Sequence, residues 1–202
     1  MRHLNCLSFV FVFACSSVFG QNLPIPASIL KAYEKGTRDK SGMPGVNYWQ
    51  NGGTYTVDIE FEPATRNLLG KAKIIYHNNS SDTLNAIHFK LYPNLYKKGT
   101  QNKSRIREED KGSGVQILSF TMDRKSISTS ALVQEGTNMI VKNVQILPKQ
   151  STEIAIDYQY TLNKGSHVRT GQVDEGAYFI AYSIPRIAVY DDLDGWNTFA
   201  YN

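Results

Sequence analysis

Hydrolytic zinc needs imidazole and carboxylate donors that converge from a rigid element, in the simplest case two histidines four apart on a helix with a glutamate between them. The four histidines of this chain are His3, His77, His88 and His167, and none lies within four residues of another. His77 and His88 fall in or near strand-like stretches and His167 in a polar loop. No two form a sequence-local metal pair, and nothing in the spacing favours a site assembled by the fold from His77 and His88. Isolated histidines of this kind read as surface or hydrogen-bonded polar residues. Nucleophilic catalysis finds no footing either: there is no G-x-S-x-G elbow, and Gly112-Ser113-Gly114 reads as a flexible loop. The phosphate-cradling G-x-G-x-x-G and Walker lysine loops do not occur. The residues therefore supply no catalytic candidate, no metal-ligand candidate and no cofactor for this chain.

The one dense group of ionisable side chains is Asp191, Asp192 and Asp194, in YDDLDGWN at 190–197. A calcium loop wants a glycine at its sixth position and a glutamate at its twelfth. Counted from Asp192, the sixth position is Asn197, so that reading fails. What remains is a turn whose aspartates accept backbone N–H groups, a pairing with Arg186, or a contact patch for another domain. Tyrosine and tryptophan are frequent, at Tyr48, Trp49, Tyr92, Tyr96, Tyr178, Tyr182, Tyr190 and Trp196. An aromatic platform could bind sugar or peptide, although aromatics at strand positions serve more often as core or cross-strand partners.

The elements that must position these residues read as strands. From Thr54 the period is two: Tyr55, Val57, Ile59 and Phe61 alternate with Thr54, Thr56, Asp58 and Glu60, the pattern of a half-buried strand. EPATRN at 62–67 is a turn in which Asn67 tolerates left-handed geometry, and 69–77 returns with Ala72, Ile74 and Tyr76 on one face. A further strand runs over 84–92 with Ile87, Phe89 and Leu91 aligned. Others are expected over 115–122, 126–133, 139–147 and, most clearly, 152–162, where Ile154, Ile156, Tyr158, Tyr160 and Leu162 alternate with polar residues. The segment 95–114 is charged and without period and is expected to be a mobile loop, and 163–176 a polar one. The last strand, 177–184, is apolar on both faces and so is expected to be central or doubly covered. Before the first strand, Ser28 is expected to cap a short helix that Gly36 stops, and Tyr48 and Trp49 to dock on the domain that follows. The fold class is all-β, a mostly antiparallel sandwich or saddle-shaped sheet. Its domain is expected over 54–202, incomplete at its C-terminal end, behind a lead-in over 21–53.

The formal net charge of +4 is scattered. The densest run, KSRIREEDK at 103–111, mixes both signs, whereas nucleic-acid binding wants a one-signed stripe. Residues 1–20 read as a signal peptide: a basic start at Arg2, an apolar run over 4–14, and a cleavable Val18-Phe19-Gly20 before Gln21. That run is short of the roughly 20 residues a membrane span needs. The product is therefore expected to be exported, periplasmic or secreted, with no transmembrane span. Both cysteines, Cys6 and Cys15, lie in this leader, so the cleaved chain has no thiol. Lipidation at Cys15 is the alternative, and Phe13 fits its cleavage site poorly.

Three phrases carry a resemblance. The stretch 46–99, the phrase HFKLYPNLY at 88–96 within it, and IPRIAVYDDLDGWN at 184–197 resemble the N-terminal β-domain of secreted aminopeptidase-N-like zinc metallopeptidases and its exit toward the catalytic domain. The resemblance implies a saddle-shaped β-domain that braces a thermolysin-like catalytic domain. The family's G-x-M-E-N, H-E-x-x-H and distant glutamate all lie C-terminal to this domain, and none occurs in this sequence. The chain is thus expected to be a non-catalytic fragment truncated before the catalytic domain. That domain is its expected partner, in cis or as a split-gene product, and zinc belongs there alone. Arg186, Tyr190, Asp191, Asp192, Asp194 and Trp196 become the candidate interdomain contacts. The family's polar substrate-binding pair matches Phe179 and Ala181 here, both apolar, so that role does not carry over. A reading from another class is a complete secreted β-sandwich that binds a peptide, a glycan or a partner protein through its aromatics and the 95–114 loop.

Overall fold

The computed structural model describes residues 23–101, 103, 105–165 and 169–201. The expected leader with His3, Cys6 and Cys15, and also His167, lie outside the described residues. Two antiparallel sheets share one hydrophobic core. The first has five strands in the order β1 (Gly52–Glu62), β2 (Asn67–His77), β8 (Ser151–Thr161), β4 (Gln116–Met122) and β5 (Lys125–Ser126). The second runs β11 (Arg186–Ile187), β3 (Leu84–Lys90), β7 (Asn138–Ile146) and β6 (Leu132–Glu135). Two ribbons, β9 (Thr170–Asp174) with β10 (Ala177–Ile180) and β12 (Tyr190–Asp191) with β13 (Gly195–Trp196), and one helix, α1 (Ala27–Glu34), complete the elements used below. The all-β, antiparallel class read from the sequence is the observed one, and no described helix is long and apolar enough to cross a membrane.

Alternation produces this core directly. On β2 and β8 every second residue is buried, among them Leu68, Ala72, Ile74 and Tyr76 facing the same way as Ile154, Ile156, Tyr158 and Tyr160. Ile87 and Phe89 of β3 with Met139 and Val141 of β7 fill the opposite side. An edge-on contact between Phe89 and Phe120, with ring centroids 5.8 Å apart, ties the two sheets together. Gly70 faces its register partner Tyr158, and a Cβ there would fall within the phenol ring, so the strand needs glycine at that point.

Several expectations are corrected. The helix starts at Ala27 with Pro26 as its N-cap and no side-chain cap, so Ser28 sits inside its first turn; Gly36 does end it, at φ +68°. In the β1–β2 turn the left-handed residue is Arg66, φ 56°, not Asn67. The expected strand over 126–133 is two strands in different sheets. Ser128 caps a 3-10 turn over Thr129–Ala131, and the chain crosses from β5 to β6 there. Within the segment 95–114, read as a loop without regular structure, Leu95, Tyr96 and Ile106 form a second small core. Asn94, fully buried, accepts from the Val115 N–H at 2.7 Å and donates to the Gly136 carbonyl at 3.2 Å. The polar stretch 163–176 contains β9. Finally, 177–184 is not a covered central strand: only Ala177–Ile180 is extended, in a two-stranded ribbon, with Phe179 52% exposed. Its Tyr178 and Ile180 pack on the core while Phe179 faces out, so an apolar run here spans two environments.

Candidate functional site

The ribbon of β12 and β13 builds a clasp from the acidic cluster. Tyr190 pairs with Trp196 and Asp191 with Gly195, whose φ of +71° closes the tight connection. The Asp191 Oδ1 accepts the N–H groups of Leu193 at 3.0 Å and Asp194 at 2.8 Å. This is the turn chemistry expected of the cluster. The turn sends Asp192 toward the lead-in, where the Arg38 guanidinium grips it: Nη2 donates to Oδ1 at 2.7 Å and Nε to Oδ2 at 2.9 Å. The Thr37 hydroxyl donates to Oδ2 at 2.7 Å. The Asp192 side chain is 3% exposed. Hydrogen bonding from Arg38, outweighing burial, holds its carboxyl down at about 2. The partner of the acidic cluster is thus Arg38, not Arg186, which is exposed on a short strand beside Lys90.

Aromatic rings lock the other side of the clasp. Trp196 stacks on His88 at 5.3 Å and on Tyr76 at 6.2 Å, and meets Tyr190 edge-on at 5.1 Å. Trp49 stacks on Tyr190 at 5.7 Å, the docking expected of it, whereas Tyr48 lies under the Arg38 guanidinium within the lead-in. The Tyr190 hydroxyl donates to Asp82 Oδ2 at 2.8 Å. Burial, then that carboxylate, pushes the Tyr190 phenol up. Burial under these rings, with Lys90 nearby, pushes the His88 imidazole below its usual range, so the neutral form is favoured.

The chain then runs on as a strap across the second sheet. Asn138 donates to the Thr198 carbonyl at 2.7 Å, the Lys90 ammonium to the Phe199 carbonyl at 2.6 Å, and the Tyr201 N–H to the Thr137 hydroxyl at 2.7 Å. Lys90 is largely buried and, among the described residues, its ammonium finds only neutral acceptors, here and at Asn138 Oδ1, 2.8 Å away. Burial pushes its pKa down. Sequence reasoning missed Thr37, Arg38, Lys90, Thr137 and Asn138. Their only signal was a polar residue in an apolar or glycine-bearing stretch.

The expected candidates therefore divide. Tyr190, Asp191, Asp192 and Trp196 are occupied inside the clasp. Arg186 and Asp194 are exposed, as are the apolar Val173 at 51%, Phe179 at 52% and Val189 at 64%. The eight aromatics do not form one platform. Tyr48, Trp49, Tyr190 and Trp196 belong to the clasp region, Tyr92 and Tyr182 meet at 5.1 Å, Tyr178 packs edge-on against Phe61 at 5.0 Å, and Tyr96 is buried in the second core. An open cavity of about 580 Å³ beside the clasp is lined by Tyr48 and Trp49 together with Lys35, Asn47, Asp82 and Lys149. His77 and His88 are not brought together as a ligand pair: His77 Nδ1 lies 2.6 Å from the Ser151 hydroxyl and His88 is under Trp196. Among the described residues no three histidine, cysteine, aspartate or glutamate side chains are grouped to hold a metal.

No family model matches the chain. No curated protein matches it either. Among solved structures it is similar to an M1 zinc metallopeptidase from Deinococcus radiodurans, at 12% identity and TM-score 0.39, over 59% of this chain and 22% of that one. A point mutant of the same peptidase bound to a Tyr-Ser-Ala substrate gives 12% identity and TM-score 0.39 over 61% and 23%. A two-domain M1 zinc metallopeptidase mutant bound to L-tryptophan gives 12% and 0.39 over 62% and 24%. The chain spans about a quarter of the length of these structures.

Proposed function

We propose that this chain is a non-catalytic docking domain that braces the catalytic domain of an aminopeptidase-N-like zinc metallopeptidase, in cis or as a separately encoded product. The observation that carries this reading is the form taken by the exit phrase at 184–197. It folds into a clasp that holds its own strap to the sandwich and leaves Arg186, Val189 and Asp194 facing outward. An element built to fix a following segment, with exposed apolar side chains next to it, suits docking. Zinc and the catalytic glutamate belong to the partner, and the leader at 1–20 sends this chain to an exported compartment.

Two measurements test this. The purified chain should show no chelator-sensitive turnover of aminoacyl anilides, and robust turnover lost on chelation overturns the reading. It should also form a complex with an aminopeptidase-N-like catalytic domain stripped of its own β-domain, and Phe179→Asp should abolish that complex while leaving the thermal transition in place. A second reading, a binding module for a peptide or glycan, is favoured by the cavity beside Tyr48 and Trp49. Saccharide or peptide titration that quenches Trp49 fluorescence, and no complex with a catalytic domain, would favour it.

A further inference from the structure

β1 ends the five-stranded sheet, and all eleven of its residues pair with β2 without a bulge. Among the described residues no backbone hydrogen bond reaches its other edge. Natural edge strands are usually blunted by charged side chains, lysine above all, by proline or by a bulge, because an open row of N–H and C=O groups templates another strand. β1 has no lysine, no proline and no bulge, and its acidic guards cover only half of it. Its charges are Asp58, Glu60 and Glu62, all in the C-terminal half of the solvent face, while the N-terminal half of that face carries Gly52, Thr54 and Thr56. On the other face Ile59 is 43% exposed, so the second sheet does not fully cover this strand.

We propose that this edge pairs antiparallel with the same edge of a second copy of the chain, about a two-fold axis through Val57, joining two five-stranded sheets into one. With both inner faces on the same side of the joined sheet, opposite residues have equal parity, so the axis passes through a residue. An axis at Asp58 sets that carboxylate against its own copy, and one at Ile59 sets Asp58 against Glu60. Like charges directly opposite each other oppose pairing. An axis at Val57 overlaps the whole of Gly52–Glu62 and places no acid opposite an acid. On the solvent face Thr56 meets Asp58, Thr54 meets Glu60 and Gly52 meets Glu62. On the inner face Val57 meets Val57, Tyr55 meets Ile59, and the large Phe61 meets Gly53. Aromatic and β-branched residues thus oppose one another, and an aromatic covers a glycine, which are favourable cross-strand combinations.

One shared edge buries less than the roughly 1,600 Å² of a standard interface, so the dimer is reversible and concentration-dependent. The inner face of β1 touches the neighbouring elements, Phe61 against Tyr178 and the Tyr55 hydroxyl against the Ile187 N–H, but its open edge uses none of the clasp residues, so Thr56 variants test the dimer and Phe179→Asp tests the docking reading separately. The test is sedimentation velocity over a concentration series on the purified chain and on two variants at an exposed position, Thr56→Glu and Thr56→Lys. The parent is expected to shift from monomer to dimer with concentration. Thr56→Glu puts two acid–acid pairs across the axis and is expected to weaken association at least tenfold. Thr56→Lys replaces them with two opposite-charge pairs and is expected to strengthen it. A parent that stays monomeric to its solubility limit overturns the proposal. So does a dimer whose affinity ignores both substitutions, or one that Thr56→Lys weakens.

Discussion

Asp192 and Arg38 lie 154 residues apart and meet in a two-pronged ion pair, with Thr37 as a third donor. The pair bolts the lead-in to the start of the strap. Arg38→Leu strands a carboxylate that is almost wholly buried. A buried pair broken from one side costs about 3–5 kcal/mol, and Arg38's own partial exposure places the expected loss nearer 2–3 kcal/mol. Asp192→Asn leaves a neutral acceptor and is expected to cost about half as much. Urea unfolding of the three proteins measures this, and equal midpoints would show that the pair holds nothing.

The same pair sets an acid limit. The Asp192 carboxyl titrates near 2 in the folded chain against 3.8 ordinarily. The unfolded chain therefore takes up the proton first as the solution is acidified. The stabilisation is fully present above the ordinary carboxylate range and is lost as the pH falls from about 4 toward 2, in all about 2 kcal/mol. The parent should lose more stability than Asp192→Asn over that interval. Parallel curves would remove Asp192 from the acid response.

The strands that bury one face were legible in the sequence. Alternation at Tyr55–Phe61, Ala72–Tyr76 and Ile154–Leu162 states which side is inward, and the core follows from it. The places where reading failed share a cause. Between Ile127 and Leu132 the chain leaves one sheet and enters the other through the polar turn Ser128-Thr129-Ser130, which in the sequence passes for the polar side of one continuous alternating strand. Phe179 and its neighbours are apolar whether covered or not, so composition alone could not tell a central strand from an exposed ribbon. The aspartate cluster was visible, and its turn was read correctly. Its partner was not, because Arg38 sits in a stretch with no period to give it a face.

Trp196 covers one face of the His88 ring. The indole lies 5.3 Å from the imidazole and nearly parallel to it, and burial keeps the ring neutral over a wider range than usual. Trp196→Ala is expected to let the His88 pKa rise toward its ordinary value. It should also cost about 2–4 kcal/mol of stability through lost contacts with Tyr76 and Tyr190. NMR titration of the His88 ring resolves the first effect separately from the second. An unchanged His88 curve in a folded variant would show that the shift comes from elsewhere.

Gly70 and Tyr158 form a second lock, deep in the first sheet. Any side chain at Gly70 collides with the phenol ring opposite, so Gly70→Ala is expected to cost about 1–3 kcal/mol by forcing that ring off its packing. The hydroxyls of Tyr158 and Tyr160 are buried without a hydrogen-bond partner among the described residues, and burial pushes the Tyr158 phenol up to about 12. An unsatisfied buried hydroxyl carries a desolvation cost of about 1–3 kcal/mol. Tyr160→Phe should therefore be neutral or stabilising, since the aromatic packing stays and only the unpaired oxygen goes. For Gly70 the decisive variant is the double one: Gly70→Ala combined with Tyr158→Leu should recover much of the loss of Gly70→Ala, because the shorter side chain vacates the space the new methyl needs. Chemical denaturation of the two single variants and the double variant gives the coupling. Strict additivity would mean that the glycine serves the backbone rather than the ring.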